Sequence, residues 1–176
     1  MGLQSNQYSF SPIPVIAFNG TSVFMGGHFT TVRAQSRNYL AAFDATSRAL
    51  LPWNPGSVFT YQQGSSTAVY AITAYGGRVY VARGSNGLYA FDATSGTRIS
   101  SWNPPVPNSY VTSLATDGTS VYAGGYFTTL NGSASYPRNL AAAFSVSNGA
   151  VTSWNPNVTG YAVSSVTLYG GTTVYL

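Results

Sequence analysis

The side chains in this chain that could transfer a proton or hold a metal near neutral pH are few: three aspartates, Asp44, Asp92 and Asp117, and one histidine, His28, with no cysteine, no glutamate and no lysine. Glycoside hydrolysis by paired carboxylates needs two acids in contrasting environments a few ångströms apart. Asp44 and Asp92 instead occupy the same place in two copies of Phe-Asp-Ala-Thr-Ser, and Asp117 opens an Asp-Gly turn dipeptide. Turn capping by side-chain hydrogen bonds to nearby backbone N–H groups is the simpler reading of all three. A Ser-His-Asp triad would have to use His28, whose counterpart in a later copy of the same stretch is Tyr126, an aromatic substitute with no basic nitrogen. One histidine and three separated aspartates make no metal cluster. The Gly-Gly pairs precede no helix that could cradle a phosphate. The expectation is therefore a non-enzyme with no cofactor and no metal.

The seven arginines are scattered, so the formal net charge of +4 is not a basic stripe of the kind that displaces counterions from nucleic acid. Arg37 and Arg138 each stand six residues before a phenylalanine (Phe43, Phe144). Such a guanidinium can bind carbonyls or lie on an aromatic face, with recognition of an acidic ligand as the alternative.

The elements that must position these residues are strands. Charged residues are only 6% of the 176, and the gap is filled by 19 Gly, 14 Tyr and many Ser and Thr, a composition poor in helix formers and rich in strand and turn formers. A chain of this length buries roughly 70% of its unfolded surface, enough for a core without a disulfide or metal. The N-terminus has neither the positive nor the apolar region of a signal peptide, and no apolar run is long enough to span a bilayer, so membrane insertion is not expected. Sequons occur at Asn19, Asn131 and Asn157, a frequency that chance accounts for in so Ser- and Thr-rich a chain.

Laid against itself, the chain repeats. Trp-Asn-Pro begins at Trp53, Trp102 and Trp154, and upstream of each lie an aromatic segment built around Phe43, Phe91 or Phe144 (40–47, 88–96, 141–149) and a Val-aromatic pair after a turn. The pairs are Val23-Phe24, Val79-Tyr80, Val121-Tyr122 and Val174-Tyr175; the turns are Asn19-Gly20, Gly76-Gly77, Asp117-Gly118 and Gly170-Gly171. Each unit reads as four short antiparallel strands, in the first copy 15–18, 22–26, 38–45 and 49–53, the pattern of β-propeller blades. The expected class is thus all-β. Repeat units cover about 14–55, 68–104 and 110–156, with a partial unit at 161–176. Residues 7–12 read as the outer strand of a neighbouring blade, because Tyr8 to Pro14 aligns with Ser100 to Pro107 allowing one gap. Propellers close with about four to eight blades. A small ring sharing one blade between its ends, a homo-oligomer, or a longer protein with further blades would each satisfy that requirement.

The run Gly-Gly-x-Phe-Thr, then Arg37 to Phe43 or Arg138 to Phe144, then Phe-Asp-Ala-Thr-Ser-Gly and Trp-Asn-Pro resembles the β-propeller repeat of secreted bacterial delta-sixty-repeat proteins, over about residues 14–176. The resemblance implies an extracellular or cell-surface protein and transfers no catalytic residue. The middle copy departs from it by lacking the Gly-Gly-x-Phe-Thr loop and its arginine, and the third has Ser145 where the others have Asp44 and Asp92. A weaker likeness is to quinoprotein dehydrogenase propellers, with the alternative that the chain is part of such an enzyme, or of a hydrolytic propeller, whose active residues lie elsewhere. The shared elements have a structural rationale: the Asp-Ser/Thr-Gly step caps a turn, and Trp53, Trp102 and Trp154 fill the gaps between blades. Tyr61, Tyr110, Tyr126, Tyr136 and Tyr161 are less regular aromatics that lie in or beside connecting loops, where binding surfaces concentrate, and are the candidate contacts to a protein or glycan.

Overall fold

The computed structural model describes residues 15–59, 68–84, 87–131, 133–171 and 173–176; the segment 7–12 and Tyr61 lie outside them. Among the described residues the fold is all-β, with one 3-10 turn at Pro55–Val58 and no α-helix. The strands are β1 (Val15–Asn19), β2 (Ser22–Gly26), β3 (Thr31–Val32), β4 (Gln35–Ser36), β5 (Leu40–Asp44), β6 (Val69–Tyr75), β7 (Arg78–Arg83), β8 (Gly87–Asp92), β9 (Val111–Thr116), β10 (Ser120–Gly125), β11 (Thr129–Leu130), β12 (Ser133–Pro137), β13 (Ala141–Ser145), β14 (Thr167–Tyr169) and β15 (Thr173–Tyr175).

Three antiparallel sheets carry the chain: β1-β2-β5, β6-β7-β8 and β9-β10-β13. Their turns follow from glycine. Gly76 and Gly77 both take positive φ (55° and 80°), the conformation of a tight turn that matches strand twist and that costs glycine little. The hairpin β14–β15, turned at Gly170 and Gly171 in the same way, repeats the first two strands alone. The fourth strand expected in each unit is reduced to a single bridge, Phe43 to Leu50, Phe91 to Arg98 and Phe144 to Val151. Backbone bonds on either side hold it, such as Leu51 N–H to the Ala42 carbonyl at 2.8 Å. The expected 38–45 strand shortens to Leu40–Asp44 because Tyr39 takes a φ of 65°, which extended pairing does not allow. Two small hairpins, β3–β4 and β11–β12, fill the long connections of the first and third units.

The sheets face one another through buried apolar layers. Phe24, Trp53, Val69, Ile72, Val79 and Phe91 form the layer between the first and second sheets. Tyr80, Trp102, Leu114, Val121 and Phe144 form the layer between the second and third. Ala42 and Ala142, fully buried in these two layers, let neighbouring sheets approach. Gly26 and Gly124 allow the closest contacts: a Cβ on Gly26 would lie 2.4 Å from Val69 Cγ1, and one on Gly124 would lie 2.5 Å from Val163 Cγ1.

The tryptophans tie consecutive sheets together. Trp53 packs edge-on against Phe24 of its own unit (4.9 Å) and Phe91 of the next (6.5 Å), and its indole N–H donates to the Asp92 carbonyl at 2.9 Å. Trp102 packs against Tyr80 at 5.1 Å and donates to the Ser145 carbonyl at 2.9 Å. Both are 2% exposed. Trp154 packs against Tyr122 in the same manner (5.2 Å) but is only partly buried, and among the described residues its indole N–H has no acceptor.

The turn after each third strand is closed by the same bond, Arg48, Gly96 and Gly149 N–H donating to the Asp44, Asp92 and Ser145 carbonyls at 2.9, 3.0 and 2.9 Å, and the second and third of these turns receive Trp53 and Trp102. All three take positive φ, 61°, 74° and 80°. Glycine stands where the previous unit's Trp-Asn-Pro segment crosses the turn: a Cβ on Gly149 would lie 2.7 Å from Pro104 N, and one on Gly96 would lie 3.3 Å from Asn54 N. Trp53→Phe and Trp102→Phe are expected to lose about 1 kcal/mol or more, the worth of a buried hydrogen bond plus imperfect packing, while Trp154→Phe loses little, as urea unfolding midpoints will read. Arg48→Gly relieves a left-handed residue with a side chain and is expected to raise stability by a few tenths to about 1 kcal/mol in the same measurement.

Candidate functional site

The three aspartates are committed to their turns. Asp44 Oδ1 accepts from Ser47 N–H (2.7 Å), Thr46 N–H (3.1 Å) and the Ser47 hydroxyl (2.8 Å). Asp92 repeats this with Ser95 N–H (2.7 Å), Thr94 N–H (3.0 Å) and the Ser95 hydroxyl (2.9 Å). The Ser47 and Ser95 backbone N–H groups hold Asp44 and Asp92 below the ordinary carboxylate pKa of 3.8. Burial pushes Asp117 upward, but N–H groups of Ser120 and Thr119 and the hydroxyls of Thr119 and Tyr122 outweigh it, so its pKa also falls. In the third unit Ser145 takes the aspartate's place, and its hydroxyl reaches only the Ser147 hydroxyl (2.8 Å) and the Ser147 N–H (3.3 Å). No group of three or more metal-ligating side chains occurs among the described residues.

Arg37, 8% exposed, donates to the Ser36 carbonyl (2.9 Å) and the Leu51 carbonyl (3.1 Å). Arg138 donates to the Pro137 and Thr152 carbonyls, both at 2.9 Å. Each guanidinium thus clips its unit's outermost segment to the long connection before the third strand through backbone carbonyls; Arg37 Nη2 also donates to Gln35 Oε1 at 3.2 Å, and the buried Nε of each arginine finds no acceptor among the described residues.

The tyrosines behave differently. Tyr110, Tyr126 and Tyr161 gather at the end of the sheets where β10 finishes and β9 starts. Tyr126 N–H donates to the Tyr110 carbonyl at 2.9 Å, fixing the two backbones together. The Tyr126 and Tyr161 rings meet edge to face at 5.4 Å and 84°. Tyr161 is 86% exposed and Tyr126 39%, so ring surface is open to solvent. Tyr110 in turn meets Tyr70 edge to face at 5.3 Å, a residue at the start of β6 that the loop-aromatic pattern does not single out because it lies within an apolar alternation. Tyr136 stands apart on β12, 40% exposed, with no ring contact among the described residues.

Arg83 is the other unforeseen residue near this end. It occupies the place held by Gly27 and Gly125 in the flanking units, and its guanidinium sits 4.9 Å from the Tyr39 ring and 4.4 Å from the Phe59 ring. Cation–π attraction stands in for hydrogen bonds there, since its buried Nε and Nη2 find no acceptor among the described residues. The sequence signal was a lone arginine in a glycine position. His28, the counterpart of Tyr126, lies 5.9 Å from the Tyr39 ring. What the arrangement offers chemically is flat aromatic surface and tyrosine hydroxyls, with the three aspartate carboxylates committed to their turns.

No protein-family model matches the chain, and no curated protein does. Solved structures do. The crystal structure of the computationally designed Ika4 protein matches 99% of this chain and 93% of that one, with a TM-score of 0.62 at 15% identity. The computationally designed Ika8 protein matches 90% of this chain and 56% of that one, with a TM-score of 0.49 at 12% identity. At such identity the likeness to Ika4 concerns the fold alone.

Acid stability follows from the aspartates. Their folded pKa values lie below the unfolded value, so their contribution is complete above about pH 4 and is lost as pH falls through the folded values. The urea midpoint is expected to stay flat from pH 7 to 5 and to drop below about pH 4. Because the chain has no other acidic side chains, replacing all three aspartates by asparagine should abolish most of that slope.

Proposed function

We propose that the three sheets are blades of a β-propeller-type repeat and that the protein is a non-catalytic scaffold whose tyrosine face binds glycans. The observation that carries the reading is the exposed Tyr126–Tyr161 pair, braced through the backbone by Tyr110. Rigid tyrosines offer large apolar area with a polar tip at low entropic cost, which suits a sugar's C–H face and hydroxyls. A chain with only 6% charged residues offers few ionic competitors for a neutral ligand.

The blade reading is supported by the order of strands within each sheet, by the packing of successive sheets through Trp53 and Trp102, and by β6 standing between β1 and β9. An extracellular or cell-surface setting rests on the resemblance of the repeat. Non-catalytic character is supported by the capture of all three carboxylates in turns. Further blades, or further copies of the chain, would complete the array. A glycan array probed with the fluorescently labelled chain should retain at least one class of neutral glycan. Tyr161→Ala or Tyr126→Ala should weaken retention about 10-fold, the scale of losing one aromatic anchor, while Tyr136→Ala leaves it unchanged. A blank array, or tyrosine variants that bind as the parent does, would remove the glycan reading.

A further inference from the structure

The two complete contacts between units define what a third should contain. In each, the aromatic of the unit's second strand is buried under its own tryptophan (Phe24 and Tyr80, both 0% exposed), and that tryptophan's N–H reaches the last carbonyl of the following unit's third strand. At the third contact the first feature persists in weaker form and the second stops. Tyr122, in the place of Phe24 and Tyr80, still meets Trp154 edge to face at 5.2 Å but is only partly buried, Trp154 is only partly buried and finds no acceptor among the described residues, and Tyr175, the corresponding aromatic of the hairpin β14–β15, is 57% exposed. Strands β2, β7 and β10 each pair on both edges, whereas β15 pairs only with β14 among the described residues.

We propose that the edge of β15 left unpaired among the described residues, with Trp154 and Tyr175, is an acceptor for an added strand of the repeat's own third-strand pattern, small and apolar residues ending in Phe-Asp-x-x-Ser-Gly. Main-chain pairing along β15 would supply affinity, and the carbonyl of the Asp residue would accept the Trp154 N–H, as the Asp92 carbonyl does from Trp53. Specificity would come from the turn. Asn155 and Pro156 would cross it as Asn103 and Pro104 cross Gly149, where a Cβ would lie 2.7 Å from Pro104 N. A donor must therefore carry glycine at that place. The first sheet of a second copy is a poor occupant, since Arg48 stands there with a full side chain. The occupant that fits is a strand from a further repeat with glycine, as in residues 87–102 of this chain. This acceptor is independent of the glycan reading, because its contacts involve none of the tyrosines assigned to the sugar face.

The test uses the 15N-labelled chain, whose three indole N–H signals are assigned with Trp154→Phe, and an unlabelled synthetic peptide of residues 87–102. The expected result is a saturable shift of the Trp154 indole alone and about a 10-fold slowing of its exchange with solvent, with Trp53 and Trp102 unmoved. The same peptide with Gly96→Arg should bind about 10-fold more weakly. No saturable shift up to about 1 mM peptide, corresponding to a binding free energy of about −4 kcal/mol, would overturn the proposal. So would a scrambled peptide of equal effect, or a Trp154 indole already protected without peptide, which would mean that the chain itself or a second copy covers the site. A chain extended after Leu176 by a copy of residues 82–102 gives a second reading in which peptide solubility plays no part. It should raise Tm by several degrees and protect the Trp154 indole, and an unchanged Tm with an exposed indole would likewise count against the acceptor.

Discussion

One hydrogen bond, made twice, organises this molecule: a buried indole N–H from the end of one sheet to the carbonyl that closes the third strand of the next. A buried N–H without a partner costs about 1–3 kcal/mol, and a tryptophan buries large apolar area, so the position of each sheet relative to its predecessor is tightly specified. Many other choices depend on that contact. The receiving turn must be glycine where the Trp-Asn-Pro segment crosses it, the strand beneath must be alanine-rich for the sheets to approach, and the second strand must offer an aromatic edge to the indole.

The same logic separates structural charge from usable charge. Aspartates that accept three hydrogen bonds each from their own turn, and arginines that clip strands through backbone carbonyls, are spent on the fold. Their types invited a chemical reading, yet their environments resemble those of a capped helix end more than those of a catalytic pair, whose members need pKa values pushed apart. Here all three carboxylates move the same way, downward. What remains uncommitted is aromatic surface at one end of the sheets, where the Tyr126 N–H bond to the Tyr110 carbonyl ties two backbones together.

The middle unit shows how repetition bends to local need. It lacks the Gly-Gly loop, and Arg83 takes the vacated glycine place, with its guanidinium held between Tyr39 and Phe59. A charge is tolerated there because two ring faces substitute for hydrogen-bond acceptors on part of the fork.

The all-β class, the three repeated units and their hairpin turns are legible in the chain without any coordinates, because glycine φ and the alternation of apolar residues are local properties that recur with the repeat. The same reading places Tyr110, Tyr126 and Tyr161 in or beside the connecting loops. Which tyrosines meet is a matter of tertiary packing: Tyr126 finds Tyr161 and Tyr110 finds Tyr70, while Tyr136 is carried off on its own hairpin, since ring contacts depend on how connections fold back across sheets. Packing also reduces the fourth strands to single bridges, and it distinguishes three tryptophans that are identical in sequence context. Trp53 and Trp102 are buried by the sheet of the next unit and Trp154 is not, because a side chain's burial is set by its neighbour in space, which no residue in its own motif encodes.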